Sequence, residues 1–65
     1  MMFEFTEEEF NSICKKAMLN DELTKIFEMK IKNYSNIQIS MKLNISERTL
    51  TRRINELKKK IMRVL

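Results

Sequence analysis

Ser35-Asn36-Ile37-Gln38-Ile39-Ser40-Met41-Lys42-Leu43-Asn44-Ile45-Ser46-Glu47-Arg48-Thr49-Leu50 is the stretch from which the fold can be read. Ser35 and Gln38 have the spacing of a capping box, in which each side chain satisfies the other residue's backbone N–H. They open a short helix, 36–43, that would bury Ile39 and Leu43. Asn44 ends it. A chain leaving a helix commonly passes through a left-handed residue, which costs most side chains about 1–2 kcal/mol but is tolerated by Gly and, less well, by Asn. Ser46 then caps the next helix. Leu43, Asn44 and Ile45 would be the whole connection, and so short a turn makes two helices meet at a steep angle, the helix-turn-helix arrangement.

Downstream, Leu50, Ile54, Leu57, Ile61 and Val64 recur at alternating steps of four and three, the mark of one helix with a buried side. These are also coiled-coil steps, but two heptads following a turn pack more economically on the preceding helices than on a partner. Upstream, Thr6 and Glu9 repeat the capping-box spacing, and Phe5 and Phe10 stand where the halves of a hydrophobic staple would sit. Phe10, Ile13, Cys14, Ala17 and Met18 then mark a first buried face. Asn20 or Asp21 caps a second helix, along which Leu23, Ile26, Phe27 and Ile31 repeat the pattern. Asparagine stands at all three junctions, Asn20, Asn33 and Asn44, as the natural left-handed residue of a glycine-free chain. The expected fold is a single small all-α domain, 1–65, with four helices at approximately 6–19, 21–33, 36–43 and 46–63.

Composition agrees with long helices. The 65 residues contain no Gly and no Pro, where average usage would supply about eight of the two together. A chain this short buries only about 60% of its unfolded surface, which leaves little room for an enclosed active site. Histidine, the usual general base and commonest metal ligand, is absent, and the single cysteine, Cys14, can complete neither a disulfide nor a zinc site. With no phosphate-cradling glycine loop and no paired acids in a cleft, the sequence offers no support for an enzyme, a metal, a cofactor or a small-molecule substrate. No apolar run exceeds three residues, so neither a membrane span nor a signal peptide is expected, and a reducing cytoplasm is the default. The six methionines read as adaptable core filler and Cys14 as a small buried hydrophobe.

Charge divides the chain. Residues 1–28 hold seven acids and three bases, whereas 29–65 hold ten bases and two acids, a balance of −4 followed by +8. A basic half is either a solvated face or the footprint of a polyanionic partner, since each phosphate neutralised by Lys or Arg releases condensed counterions.

The stretch 35–50 resembles the S-N-x-E-I-A-x-x-L-x-I-S-x-x-T-V signature of the LuxR/GerE response-regulator output domains, and it is equally similar to promoter-binding region 4 of bacterial sigma factors. Leu19 to Met29 resembles the scaffold helix of both families, with Ile26-Phe27 at the paired apolar positions, and Lys60-Ile61 falls where both end with Lys-Leu or Arg-Leu. The resemblance covers roughly residues 19–61. Asn33 stands for the usual Gly, Ser40 for the usual Ala, and Arg53 where LuxR-type domains often have His. An acidic first helix suits the sigma-type layout better. Either family implies a domain that binds double-stranded DNA and regulates transcription, with a recognition helix at 46–60.

At 100° per residue, the side of the last helix opposite Leu50, Ile54, Leu57 and Ile61 presents Arg48, Arg52, Asn55 and Lys59, flanked by Thr51. In a major groove, Arg can grip guanine and Asn adenine through two hydrogen bonds each. Arg48, Thr51, Arg52 and Asn55 are therefore the expected base contacts. Phosphates would fall to Ser35, Asn36, Lys42, Ser46, Thr49, Lys58 and Lys59, helped by helix N-termini. The alternative is a sigma-region-like adaptor that holds RNA polymerase or another regulator and touches DNA little. Ile37 and Met41, one turn apart where the resembling families place polar residues, together with Met62, Val64 and Leu65 past the last core position, are the candidate protein interface. One such module grips DNA weakly, so a homodimer or a tether to RNA polymerase would be needed for useful affinity.

Overall fold

The computed structural model describes residues 3–65. Among them the chain forms four helices and no strand: α1 (Glu7–Ala17), α2 (Asp21–Ile31), α3 (Asn36–Leu43) and α4 (Glu47–Val64). Each helix starts from an extended residue, Thr6, Asn20, Ser35 or Ser46. The side-chain oxygen of each accepts the N–H three residues on, from Glu9, Leu23, Gln38 and Thr49 respectively. Two of the four are full capping boxes, because Glu9 Oε1 and Gln38 Oε1 reach back to the amides of Thr6 and Ser35 at 2.9 Å. Losing such a cap typically costs about 1 kcal/mol.

All three connections have one form. A left-handed residue follows the helix: Met18 (φ 52°), Asn33 (φ 65°) or Asn44 (φ 55°). It donates its N–H to the carbonyl three residues back, of Lys15, Lys30 or Met41. The next residue, Leu19, Tyr34 or Ile45, donates to the carbonyl five back, of Cys14, Met29 or Ser40, at 3.0–3.3 Å. This is the Schellman pattern, and it satisfies carbonyls that the helix end would otherwise leave open. The second residue is apolar and packs against the core. The third is already the cap of the next helix.

The structure departs from four expectations. Asn20 is not left-handed: it is extended (φ −75°, ψ 173°), because a capping side chain needs that backbone to reach its target. The reversal falls two residues earlier, on Met18, which leaves the buried face and is 84% exposed. Helix α1 accordingly spans 7–17 rather than 6–19, and α2 stops at Ile31, with Lys32 and Asn33 forming the turn. The methionines are not core filler either. Met18, Met41 and Met62 are exposed, Met29 is half-buried, and Met1 and Met2 lie outside the described residues. Cys14 and Leu43 are half-buried rather than buried.

The core consists of Ile13, Leu23, Ile26, Phe27, Ile39, Leu50, Ile54, Leu57 and Ile61. Four of these come from α4, which packs against each of the other helices. At 1.5 Å per residue its 18 residues run about 27 Å, the full 28 Å length of the molecule. Phe27 is fully buried, with Phe3, Phe5 and Phe10 around it at centroid distances of 6.1, 5.6 and 5.0 Å. Phe5 and Phe10 thus meet as staple halves on the ring of a third residue. Such tilted and edge-on aromatic pairs add roughly 0.5–1.5 kcal/mol beyond the area they bury. They hold the chain before α1 against Phe27 of α2.

Candidate functional site

Helix α4 has two sides of opposite chemistry. Leu50, Leu57 and Ile61 have no exposed surface, and Ile54 has almost none. Arg48, Thr51, Arg52, Asn55 and Lys59 are all exposed. With 3.6 residues per turn Arg48, Arg52, Asn55 and Lys59 fall on one strip, roughly opposite the buried row and about 16 Å long, with Thr51 on its flank. Among the described residues, ion pairs engage neither Arg48 nor Arg52. Both guanidiniums therefore keep their full set of donors for an outside acceptor.

Arg53 differs, although it sits between two of these residues in the chain. Its Nε lies 2.7 Å from Glu22 Oε1 on α2, and its Nη1 lies 3.9 Å from Glu56 Oε2. The Nε–H is not aligned for a hydrogen bond to either oxygen, so the contact is one of charge. It ties α4 to α2 and turns Arg53 away from the exposed strip.

The hydroxyls at the start of α4 are already committed. Ser46 Oγ accepts the Thr49 amide at 3.1 Å and donates to Thr49 Oγ1 at 2.9 Å, leaving the Thr49 hydroxyl proton unspent. Thr51 Oγ1 donates to the Glu47 carbonyl at 3.0 Å. On α3, the Ser35 hydroxyl caps the helix, and Asn36 Oδ1 accepts from Lys30 Nζ at 3.0 Å. Lys42 lies over the Tyr34 ring with Nζ 5.4 Å from its centroid, a cation–π contact that holds the ammonium beside α3. Of the residues singled out for phosphate, Ser35, Asn36, Lys42, Ser46 and Lys59 are exposed, and Thr49 and Lys58 are half-buried.

Lys30 escaped the sequence reading. It lies between Asn36 and the Phe3 ring, 5.9 Å from the ring centroid. Its signal was available only in part: the Schellman turn at Asn33 brings the end of α2 beside the start of α3, but nothing in the spacing of Lys30 announces it.

On the outer face of α3, Ile37 is 59% and Met41 75% exposed, and at the end of α4 Met62 is 69% and Leu65 75% exposed. Val64, grouped with them on sequence, instead packs half-buried against the core. The small residue Ser40 is buried on the inner face of α3, with its hydroxyl donated to the Ile37 carbonyl at 2.8 Å. That internal bond is how a hydroxyl occupies an apolar position without loss.

Two surface grooves lie away from this strip. One, of about 400 Å³, is lined by Glu7, Phe10, Asn11, Glu28, Ile31 and Lys32. Within it Lys32 Nζ bonds Glu28 Oε1 at 3.0 Å, and this bond raises the Lys32 pKa above the ordinary lysine value. The other, of about 340 Å³, runs between α1 and the end of α4. Burial pushes the Cys14 thiol up, the Glu28 charge adds to this, and a hydrogen bond with Thr24 opposes it. A thiol raised in this way stays protonated and is a poor nucleophile at neutral pH. Among the described residues, no three His, Cys, Asp or Glu side chains are grouped to hold a metal ion. No described helix is long and apolar enough to cross a membrane.

No protein-family model matches the chain, and no curated protein or solved structure matches it.

Proposed function

We propose that this domain is a sequence-specific double-stranded DNA-binding regulator of transcription acting in the cytoplasm, with α3 and α4 working as a helix-turn-helix. The observation that carries the reading is the exposed strip Arg48, Thr51, Arg52, Asn55 on the side of α4 away from its core residues. Arg48 to Asn55 covers about 10 Å of helix, roughly three base pairs at 3.4 Å each. Arg48 and Arg52 offer the paired donors that guanine N7 and O6 accept, and Asn55 the donor and acceptor that adenine matches. Lys42, Lys59 and the Thr49 hydroxyl would hold phosphates on either flank, and a second copy or RNA polymerase would add the affinity one module lacks. Nothing in this reading needs a reaction, a metal or a cofactor.

Selection from a pool of random duplexes by the purified protein tests it. A short enriched motif is expected, with binding that weakens linearly in log affinity against log salt. A pool that emerges unenriched overturns the reading. Ile37 and Met41, apolar and exposed one turn apart on α3, favour a second one: a sigma-region-like adaptor that docks on RNA polymerase or another regulator. Under that reading Arg48, Arg52 and Asn55 could be replaced together without loss.

A further inference from the structure

We infer that Thr51 reads the 5-methyl group of a thymine, a role that rests on the duplex-binding reading and narrows it to one chemical feature of one base. A threonine hydroxyl has one proton to give. In Thr51 that proton goes to the Glu47 carbonyl, 3.0 Å away in the preceding turn of α4. The major-groove acceptors, guanine N7 and O6, adenine N7 and thymine O4, cannot be served by this hydroxyl unless the bond is broken, which leaves its lone pairs for adenine N6–H or cytosine N4–H and its methyl for thymine. Breaking the bond would return the Glu47 carbonyl to water and gain nothing over a solvated threonine. With Oγ1 bonded to its own helix, the γ-methyl takes another staggered position about the Cα–Cβ bond and is the apolar group this exposed side chain has to offer. Its neighbours on the strip divide the work. Arg48 and Arg52 supply donors, Asn55 supplies a donor and an acceptor, and Thr51 adds the apolar element that none of them has. Thymine is the one base with an apolar group at the major-groove edge.

Replacing each thymine of the selected duplex in turn by deoxyuridine removes that methyl and changes nothing else in the groove. At constant salt, wild-type binding should weaken at one thymine by about fourfold, the ratio for one buried methyl-sized group. Thr51→Val keeps the methyl without the hydroxyl and should keep the discrimination. Thr51→Ser keeps the hydroxyl without the methyl and should bind the thymine and uracil duplexes alike. The inference is overturned if wild-type protein ignores every substitution, or if Thr51→Ser retains the preference and Thr51→Val loses it, which would make the hydroxyl the reader. The wild-type series needs no variant to fold. A wild-type protein that binds no duplex fails at the earlier step and removes the duplex-binding reading along with this one, whereas an enriched motif insensitive to uracil removes this inference alone.

Discussion

The turn between α1 and α2 and the turn between α3 and α4 are nearly the same object. Met18 and Asn44 have φ, ψ of 52°, 49° and 55°, 45°, Leu19 and Ile45 bond to carbonyls five residues back, and Asn20 and Ser46 cap the helices that follow. The helices that leave them are nevertheless turned differently toward the core. Counting from the cap, α2 buries its third, sixth and seventh residues (Leu23, Ile26, Phe27), whereas α4 buries its fourth, eighth and eleventh (Leu50, Ile54, Leu57). The counterpart of exposed Arg52 is Ile26, which has no exposed surface. A sharp turn therefore does not by itself free a helix face. What differs is the phase of the apolar row relative to the cap, so that α2 turns Asp21, Lys25 and Glu28 outward whereas α4 turns Arg48, Arg52, Asn55 and Lys59 outward.

Exchange at these paired positions should produce the largest difference. Ile26→Arg would bury an unpaired guanidinium, a change of roughly 3–5 kcal/mol or more. A domain of this size has about 3–10 kcal/mol in total, so the variant should lose its cooperative thermal transition by circular dichroism. Arg52→Ile, the reverse exchange, should shift stability by no more than about 0.5 kcal/mol because the site is exposed. A cooperative, native-like melt for Ile26→Arg would show that the two helices are not committed to different faces.

Binding should separate the pair next. Arg52→Ala is expected to cost on the order of 1–3 kcal/mol with the selected duplex and to relax the preference at one base position, while Lys42→Ala should weaken all sequences alike and flatten the salt slope by about 1. Titrations of matched and single-mismatch duplexes at several salt concentrations distinguish these outcomes. Two mutants with the same profile would mean that the strip on α4 and the flank on α3 are not doing different jobs.

At the turns themselves the expected effects are smaller and opposite in sign. Met18 holds a left-handed backbone that a methionine adopts at a cost of about 1 kcal/mol, and Asn44 holds the same backbone more cheaply. Met18→Asn should therefore raise the denaturant midpoint and Asn44→Met should lower it, each by the equivalent of about 0.5–1 kcal/mol. Equal responses in one direction would mean that the two turns differ in ways their dihedral angles do not show.

Most of this fold could be read from the chain because its punctuation is local. Caps at Thr6, Ser35 and Ser46 act over three residues and need no tertiary context, and the apolar row of α4 is regular for four turns. Asn20 was ambiguous because asparagine suits both a left-handed turn and a cap; the reversal falls on Met18, and Asn20 caps α2. The exposure of Arg48, Thr51, Arg52 and Asn55 follows from the same periodicity that buries Leu50 and Ile54. Their environment does not: Lys30 on Asn36, Lys42 on Tyr34 and Arg53 on Glu22 are contacts between different elements, set by how the elements dock. Of these, Arg53 is the most instructive, since by charge alone it belongs with its neighbour Arg52.

The ion pair between Arg53 and Glu22 links the two helices that follow the matching turns, and it carries the smallest expected effect. Both side chains are about 40% exposed (41% and 39%), so solvent screens the pair and a double-mutant cycle should return about 0.2–1 kcal/mol. Glu22→Gln would lower stability by no more than that. It should leave the slope of duplex affinity against salt unchanged, because Arg53 lies on the α2 side of α4 and contributes no phosphate contact even when its carboxylate partner is neutralised. A slope steeper by about 0.9, one extra phosphate neutralised, would place Arg53 on the binding side after all. The edge of the polar side of α4 would then have to move around the helix by about 100°, from Arg52 to Arg53.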